Sequence, residues 1–355
     1  MTSKYKLAVT LFSMISLINL AVRAGDNTGA ADGGLSGATG VVYTANEKDG
    51  TISAVDFATG QVDSVAIPIM PHNVQISADG RRLYAVGMAM ARTSVGGMGA
   101  HKAAGGRLVI LDSLNIARGM VAEIAIGPHP AHVVTSADGK FAYITDSEEN
   151  TVQVVDLPAM RILRAIPSGA YPHGLRASPD GRELYVANAK DGSVSVIDTV
   201  TLAETARIKV GKGPVQVAFT PDGSKVFVSL NGEDKVATID RGTRKLLGTV
   251  TVGRNPVQVF PTPDSKFVYA ANQGTEKKPD RTVSVIDVAA NRVVATITTG
   301  KGPHGVVVSD DGRFAFVSNI AENTVSAINT MTRTVARNFK VGAGPNGITF
   351  RGTSN

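Results

Sequence analysis

The chain has 355 residues, 36 basic against 30 acidic side chains for a formal charge of +6, 5% aromatic residues, and neither cysteine nor tryptophan. Those numbers exclude a disulfide scaffold, a thiol nucleophile and covalent c-type haem attachment, and the length is sufficient for one large core. Few aromatic residues and a modest charge also argue against nucleic acid as a partner.

Residues 1–24 read as a secretory signal peptide. Lys4 and Lys6 precede an apolar run from Leu7 to Leu20, and small residues in Ala21-Val22-Arg23-Ala24 place a cut after Ala24. The run is too short for a membrane span and no second one follows; an uncleaved N-terminal anchor is the alternative. Cleavage would remove Lys4, Lys6 and Arg23, taking the formal charge from +6 to +3. The expected mature protein is periplasmic or secreted, monomeric and without a membrane span. Residues 25–40, rich in Gly, Ala, Asp and Ser, read as a flexible linker, and residues 41–355 as one repeat domain.

The repeat is clearest in residues 172–210. Four short runs rich in β-branched residues, each bounded by Gly, Pro, Asn or Asp, predict four antiparallel strands. The opening proline recurs at Pro71, Pro130, Pro172, Pro214, Pro256, Pro303 and Pro345, at steps of 59, 42, 42, 42, 47 and 42 residues. Four strands in a 42-residue period predict propeller blades. The tetrad Tyr185-Val186-Ala187-Asn188 has counterparts starting at Tyr43, Tyr84, Tyr143, Phe227, Tyr269 and Phe316, so seven blades are expected.

These tetrads, the preceding Asp-Gly turns and the strands ending in Ile-Asp resemble the YVTN-repeat β-propeller family over nearly all of residues 41–351. The resemblance implies an all-β, seven-bladed propeller. It leaves function open, because the shared motifs are structural and related propellers include hydrolases, lyases and haem- or copper-bearing redox proteins. The tetrad aromatic should pack between blades, and Asp-Gly should supply the positive φ of a tight turn. The acids closing the third strand (Asp56, Asp112, Asp156, Asp198, Asp240, Asp287) should cap the next turn, with Asn329 in the seventh copy. The chain begins on a second strand and ends on a first strand, so the C-terminal strand should complete the first blade and close the ring.

Alternating strand direction puts all six histidines on one face of the ring. His72, His173 and His304 follow a blade proline directly, and His129 and His132 flank Pro130. His101 lies in the long insertion of residues 88–107 with Met88, Met90 and Met98, and Met70 stands two residues before His72. Imidazoles converging on an axial mouth suit a transition metal, and thioethers among them favour copper over zinc. The bland readings are copied polar residues bonded to loop carbonyls, and methionines packed on the rim. The expected metal set is His72, His173 and His304, with His132 and His129 near and the Met/His loop as a lid. A second insertion, residues 273–281, reads as a solvated loop, and Asp146, Glu148 and Glu149 as an acidic corner.

Three functions fit this pattern. The first is an exported binding protein that holds a small ligand or metal at the mouth, or another exported protein. The second is an enzyme using the same histidines, either a metal-assisted hydrolase or lyase or a copper oxidoreductase. The third is an interaction scaffold with no small-molecule site. No Gly-x-Ser-x-Gly elbow and no His-Glu-x-x-His helix motif occurs, so serine-hydrolase and zincin chemistry have no support.

Overall fold

The computed structural model describes residues 39–90 and 105–352. The expected signal peptide, most of the expected linker, and Met98 and His101 therefore lie outside the described residues. Strands are numbered β1 to β28 in chain order and form seven four-stranded sheets. The protein is an all-β, seven-bladed propeller, and its only helical element among the described residues is a 3₁₀ turn at Ile116–Arg118. No helix among the described residues is long and apolar enough to cross a membrane.

Ring closure follows the expectation. The C-terminal strand β28 (Pro345–Arg351) pairs with β1 (Val41–Asn46), which continues into β2 (Thr51–Asp56) and β3 (Val62–Ala66). Val41 stands opposite Arg351 and Tyr43 opposite Thr349, so both ends of the chain share one sheet and the first blade has its innermost strand. The other innermost strands are β4 (Ile69–Ile76), β8 (Pro130–Thr135), β12 (Pro172–Ala177), β16 (Pro214–Phe219), β20 (Pro256–Pro261) and β24 (Pro303–Val308).

The core is divided among the seven gaps between blades, and one tetrad aromatic anchors each gap. Tyr43 packs with Val74, Leu83 and Val109 of the second blade, and Tyr185 with Val217 and Val226 of the fifth. At the closing gap Phe316 packs with Val42, Val55, Phe57 and Ile348 of the first blade. The turn chemistry follows the sequence as well. Gly80, Gly139, Gly181, Gly223 and Gly312 all have φ near +70°, a region that costs other residues energy. Third-strand acids cap as expected, with Asp198 Oδ1 accepting from Val200 N at 3.0 Å and Thr201 N at 2.7 Å. Asn329 does the same for Met331 and Thr332.

Two local expectations change. The insertion at residues 273–281 does not leave the sheet: β21 (Phe267–Gly274) and β22 (Pro279–Asp287) lengthen across it, with Gly274 opposite Pro279. Asp280 and Arg281 there form ion pairs with Arg254 and Glu322, which tie this hairpin to its neighbours. The acidic corner is a turn cap, since the buried Asp146 carboxylate accepts from Glu148 N and Glu149 N, both at 3.1 Å.

Phe57 tests closure directly. Its ring meets those of Phe314 at 4.8 Å, Phe316 at 4.9 Å and Phe339 at 6.0 Å, and it is 1% exposed. Phe57→Ala is expected to cost about 3–5 kcal/mol in urea unfolding. Met331→Ala, on a side chain 87% exposed, should stay within about 0.5 kcal/mol.

Candidate metal centre

Each innermost strand begins at the same mouth of the central channel, so the slots around its proline are brought together. Inter-blade hydrogen bonds hold these starts in place. Thr145 Oγ1 donates to the carbonyl of His173 at 2.6 Å, Ser147 Oγ to that of Pro172 at 2.7 Å, and Ser318 Oγ to that of Asn346 at 3.1 Å. Gly174 lets the fourth blade come close to the fifth, because a Cβ there would run into the Val215 carbonyl and the Gln216 amide. That approach lets His173 Nδ1 reach Val215 O at 3.2 Å.

The structure gathers His72, His132 and His173, with one ring nitrogen from each within 4.8 Å of the others. His72 Nε2 and His173 Nε2 are 3.3 Å apart. Ring centroids are 5.9 Å apart for His72 and His132, 5.2 Å for His72 and His173, and 4.9 Å for His132 and His173. His304, which the sequence grouped with His72 and His173, stands outside this trio, and its Nδ1 donates to Asn346 O at 3.2 Å. His132 takes its place because the second, third and fourth blades are neighbours, whereas His304 comes from the seventh. His129 lies against Tyr171, with centroids 6.2 Å apart. Met70 and Met88 line a cavity of about 60 Å³ beside the trio together with Glu47, His72, His129, Ser147, Tyr171 and His173. Met90 packs against Gly50.

Proton placement follows from these contacts. His173 Nδ1–H donates to Val215 O, which leaves its Nε2 as an acceptor. Two imidazole lone pairs at this separation repel, so His72 Nε2–H points at His173 Nε2. His72 Nδ1 then accepts from Asn346 Nδ2 at 3.1 Å. A change of tautomer frees His72 Nε2 and turns Nδ1–H toward Glu47 Oε1 at 3.4 Å. Glu47 is held ionised for this. Burial by itself would raise its carboxyl pKa, but the hydrogen bond and charge of His72 and the bond from Asn346 Nδ2 at 2.6 Å bring it down to about 2. Burial, then the neighbouring imidazoles, keeps His132 well below its usual range and lowers His173 to about 3 and His304 to about 4. Neutral imidazole is the form that ligates a metal.

Glu47, Asn346 and Tyr171 escaped the sequence reading, yet one signal could have found Tyr171. The residue before the blade proline is Gly213, Gly302 and Gly344 in three blades, but Met70, His129 and Tyr171 in the second, third and fourth. Tyr171 has φ of 58°, which is strained for a bulky residue and concentrates at functional sites. All three bulky residues line the same cavity.

Fold and site together define a seven-bladed propeller whose channel mouth carries three converging imidazoles. The family model of the Cytochrome D1 heme domain matches residues 56–273, and the chain belongs to that family. The YVTN-repeat resemblance carried the propeller architecture; the matched model supplies the family. Among solved structures, hydrazine synthase of Kuenenia stuttgartiensis aligns with a TM-score of 0.67 and 19% identity, covering 80% of this chain and 96% of that one. A functionally unknown protein from Desulfotomaculum acetoxidans DSM 771 aligns with a TM-score of 0.73 and 14% identity, covering 88% and 99%. At these identities the likeness is one of fold. No curated protein matches the chain.

The family name raises the question of haem, which some members bind non-covalently. A tetrapyrrole needs a cleft of several hundred Å³, on the order of 300–1,000 Å³, and about 3.5 Å of clearance on each side of its plane. The cavity beside the histidines offers about 60 Å³, and His72 and His173 nitrogens stand 3.3 Å apart. A larger cavity of about 400 Å³ at the other mouth is lined by no His, Met or Tyr. Among the described residues, neither cavity fits a haem.

The buried imidazoles make the metal-free fold sensitive to acid. Between the ordinary histidine value of 6.5 and about 3 for His173, or about 4 for His304, the unfolded chain binds protons that the fold does not. Stability is therefore highest above pH 6.5 and falls with pH across that window, by up to about 1.4 kcal/mol per pH unit per group. Urea unfolding in chelator at pH 7.5 and 5 should show this loss, and His173→Gln should flatten it.

Proposed function

We propose that this is an exported, monomeric propeller that binds one transition-metal ion through His72, His132 and His173 and leaves a coordination position open to the small adjoining cavity. The observation that carries the reading is the convergence of three imidazole nitrogens, all within 4.8 Å, in surroundings that keep buried imidazole neutral. The cavity of about 60 Å³ has room for about two waters, so the open position takes water or a ligand of a few atoms. Copper is favoured over zinc because the thioethers of Met70 and Met88 line the same cavity, and soft sulfur ligands select Cu(I). Glu47 acts behind His72 as the carboxylate that accepts a hydrogen bond from its Nδ1–H. Export rests on the expected leader of residues 1–24.

A catalytic reading has one observation in its favour. The adjoining cavity is also lined by His129 and Tyr171, so a bound metal would meet a small substrate beside an imidazole and a phenol. Turnover would show as metal-dependent consumption of that substrate, abolished with the metal in His132→Ala.

Metal analysis of the full chain, produced with its leader and purified without chelator, should find about one copper per protein. His132→Ala should lose most of it, whereas His304→Asn should retain it. Zinc in place of copper would overturn the copper assignment alone; no bound metal, or equal loss in both variants, would overturn the three-histidine site. Glu47→Gln should weaken metal binding about 10–100-fold in competition against a chelator, with the thermal midpoint of the metal-free protein little changed.

A further inference from the structure

The mouth opposite the histidines holds the largest cavity described above, about 400 Å³. It is formed where the innermost strands β12, β16, β20 and β24 end and turn back, so it opens away from the metal centre. Its wall is mostly apolar: Pro179, Pro221 and Pro263 from three successive hairpins, with Phe260 beside them. The prolines have the same physical origin. In the fourth, fifth and sixth blades the residue before the hairpin Asp is proline, whereas it is Ala78 and Ala137 in the second and third and Asp310 in the seventh.

Arg176 breaks this apolar lining. It is half-buried, and among the described residues its guanidinium makes one hydrogen bond, from Nη1 to Leu175 O at 3.2 Å, and no ion pair. Among the described residues every other donor of that fork is unused. Arg176 lines the cavity from β12, an innermost strand of the ring. Burial lowers its pKa to about 10, a sign of how poorly the site replaces water and counter-ion. The acid facing the same cavity is Asp310, an exposed rim residue whose pKa is raised, first by partial burial and then by Asp311. The positive group is thus the more buried of the two and the negative group the more exposed.

We propose that this mouth is a binding site for a small monocarboxylate with an apolar body. Its carboxylate pairs with the Arg176 fork, and its body lies against the three prolines and Phe260. The match is chemical: a planar two-oxygen anion satisfies a guanidinium at two points, and a cavity of about 400 Å³ is within the usual ~300–1,000 Å³ for small-molecule sites. Placement of Asp310 at the rim orients the ligand acid-end first. The site stands apart from the metal reading and does not depend on it.

Calorimetric titration of the full chain with benzoate, benzamide and inorganic phosphate tests the proposal. Benzoate should bind saturably, and benzamide, which matches it in shape but lacks the charge, at least about tenfold more weakly. Arg176→Met should weaken benzoate about tenfold or more, and Met331→Ala, on an exposed side chain that does not line this cavity, should bind it as the parent does. Equal binding of benzoate and benzamide, unchanged affinity in a folded Arg176→Met, or no saturable benzoate binding at millimolar concentration overturns the proposal. So does binding of phosphate in preference to benzoate. The benzoate–benzamide comparison uses the unaltered chain, so it decides even if Arg176→Met fails to fold.

Discussion

Face-to-face packing of each blade on the next, centred on one buried aromatic per gap, sets the spacing of the seven innermost strands around the channel. Tyr43, Tyr185 and Phe316 each sit in such a gap with aliphatic residues from the following blade. With that spacing set, the first residues of every innermost strand must meet near the axis. Closure through β28 and β1 makes the spacing hold all the way round, because an open ring would leave the gap at Phe57 and Phe316 half filled. The histidine trio is a consequence of this packing, since no single blade contributes more than one member of it.

The ring is symmetric in backbone and asymmetric in chemistry. Its second, third and fourth blades bring a bulky residue to the position before the proline at one mouth, where the fifth, seventh and first bring glycine and the sixth brings Asn255. Crowding three imidazoles together off water would be costly if they were charged, and burial together with mutual repulsion keeps His132 and His173 neutral. Glu47 and Asn346, contributed by the blade that both chain ends build, supply the partners for His72 Nδ1. Closure thus completes the second layer of the site as well as the fold.

Membership of the Cytochrome D1 heme domain family and the local geometry bear on different questions. The family match, residues 56–273, spans the three histidines but neither Glu47 nor Asn346. The fold supplies a channel with two mouths, and cavity size decides what each can hold. About 60 Å³ between imidazoles suits an ion and its small ligands, and about 400 Å³ between prolines suits a compact organic molecule. One scaffold offers both because the two ends of the same strands are lined by different residues.

Much of this was legible in the chain itself. The period of the prolines, the tetrads and the Asp-Gly turns gave blade number, strand order, closure and the face on which the histidines lie, because each is local or repeated along the sequence. The trio was only partly legible. His72 and His173 were singled out together, but His304 was placed with them where the structure has His132. Strict alternation along a strand could not settle that choice, since the innermost strands carry register shifts just after the proline, as between Pro130 and Val133. Nor does a repeat reveal that Glu47, Asn346 and His72, scattered across the sequence, share a hydrogen-bond network. Spacing along the chain determines which side chains recur; only the packed ring decides which of them touch, because contact across a channel depends on neighbouring blades rather than neighbouring residues.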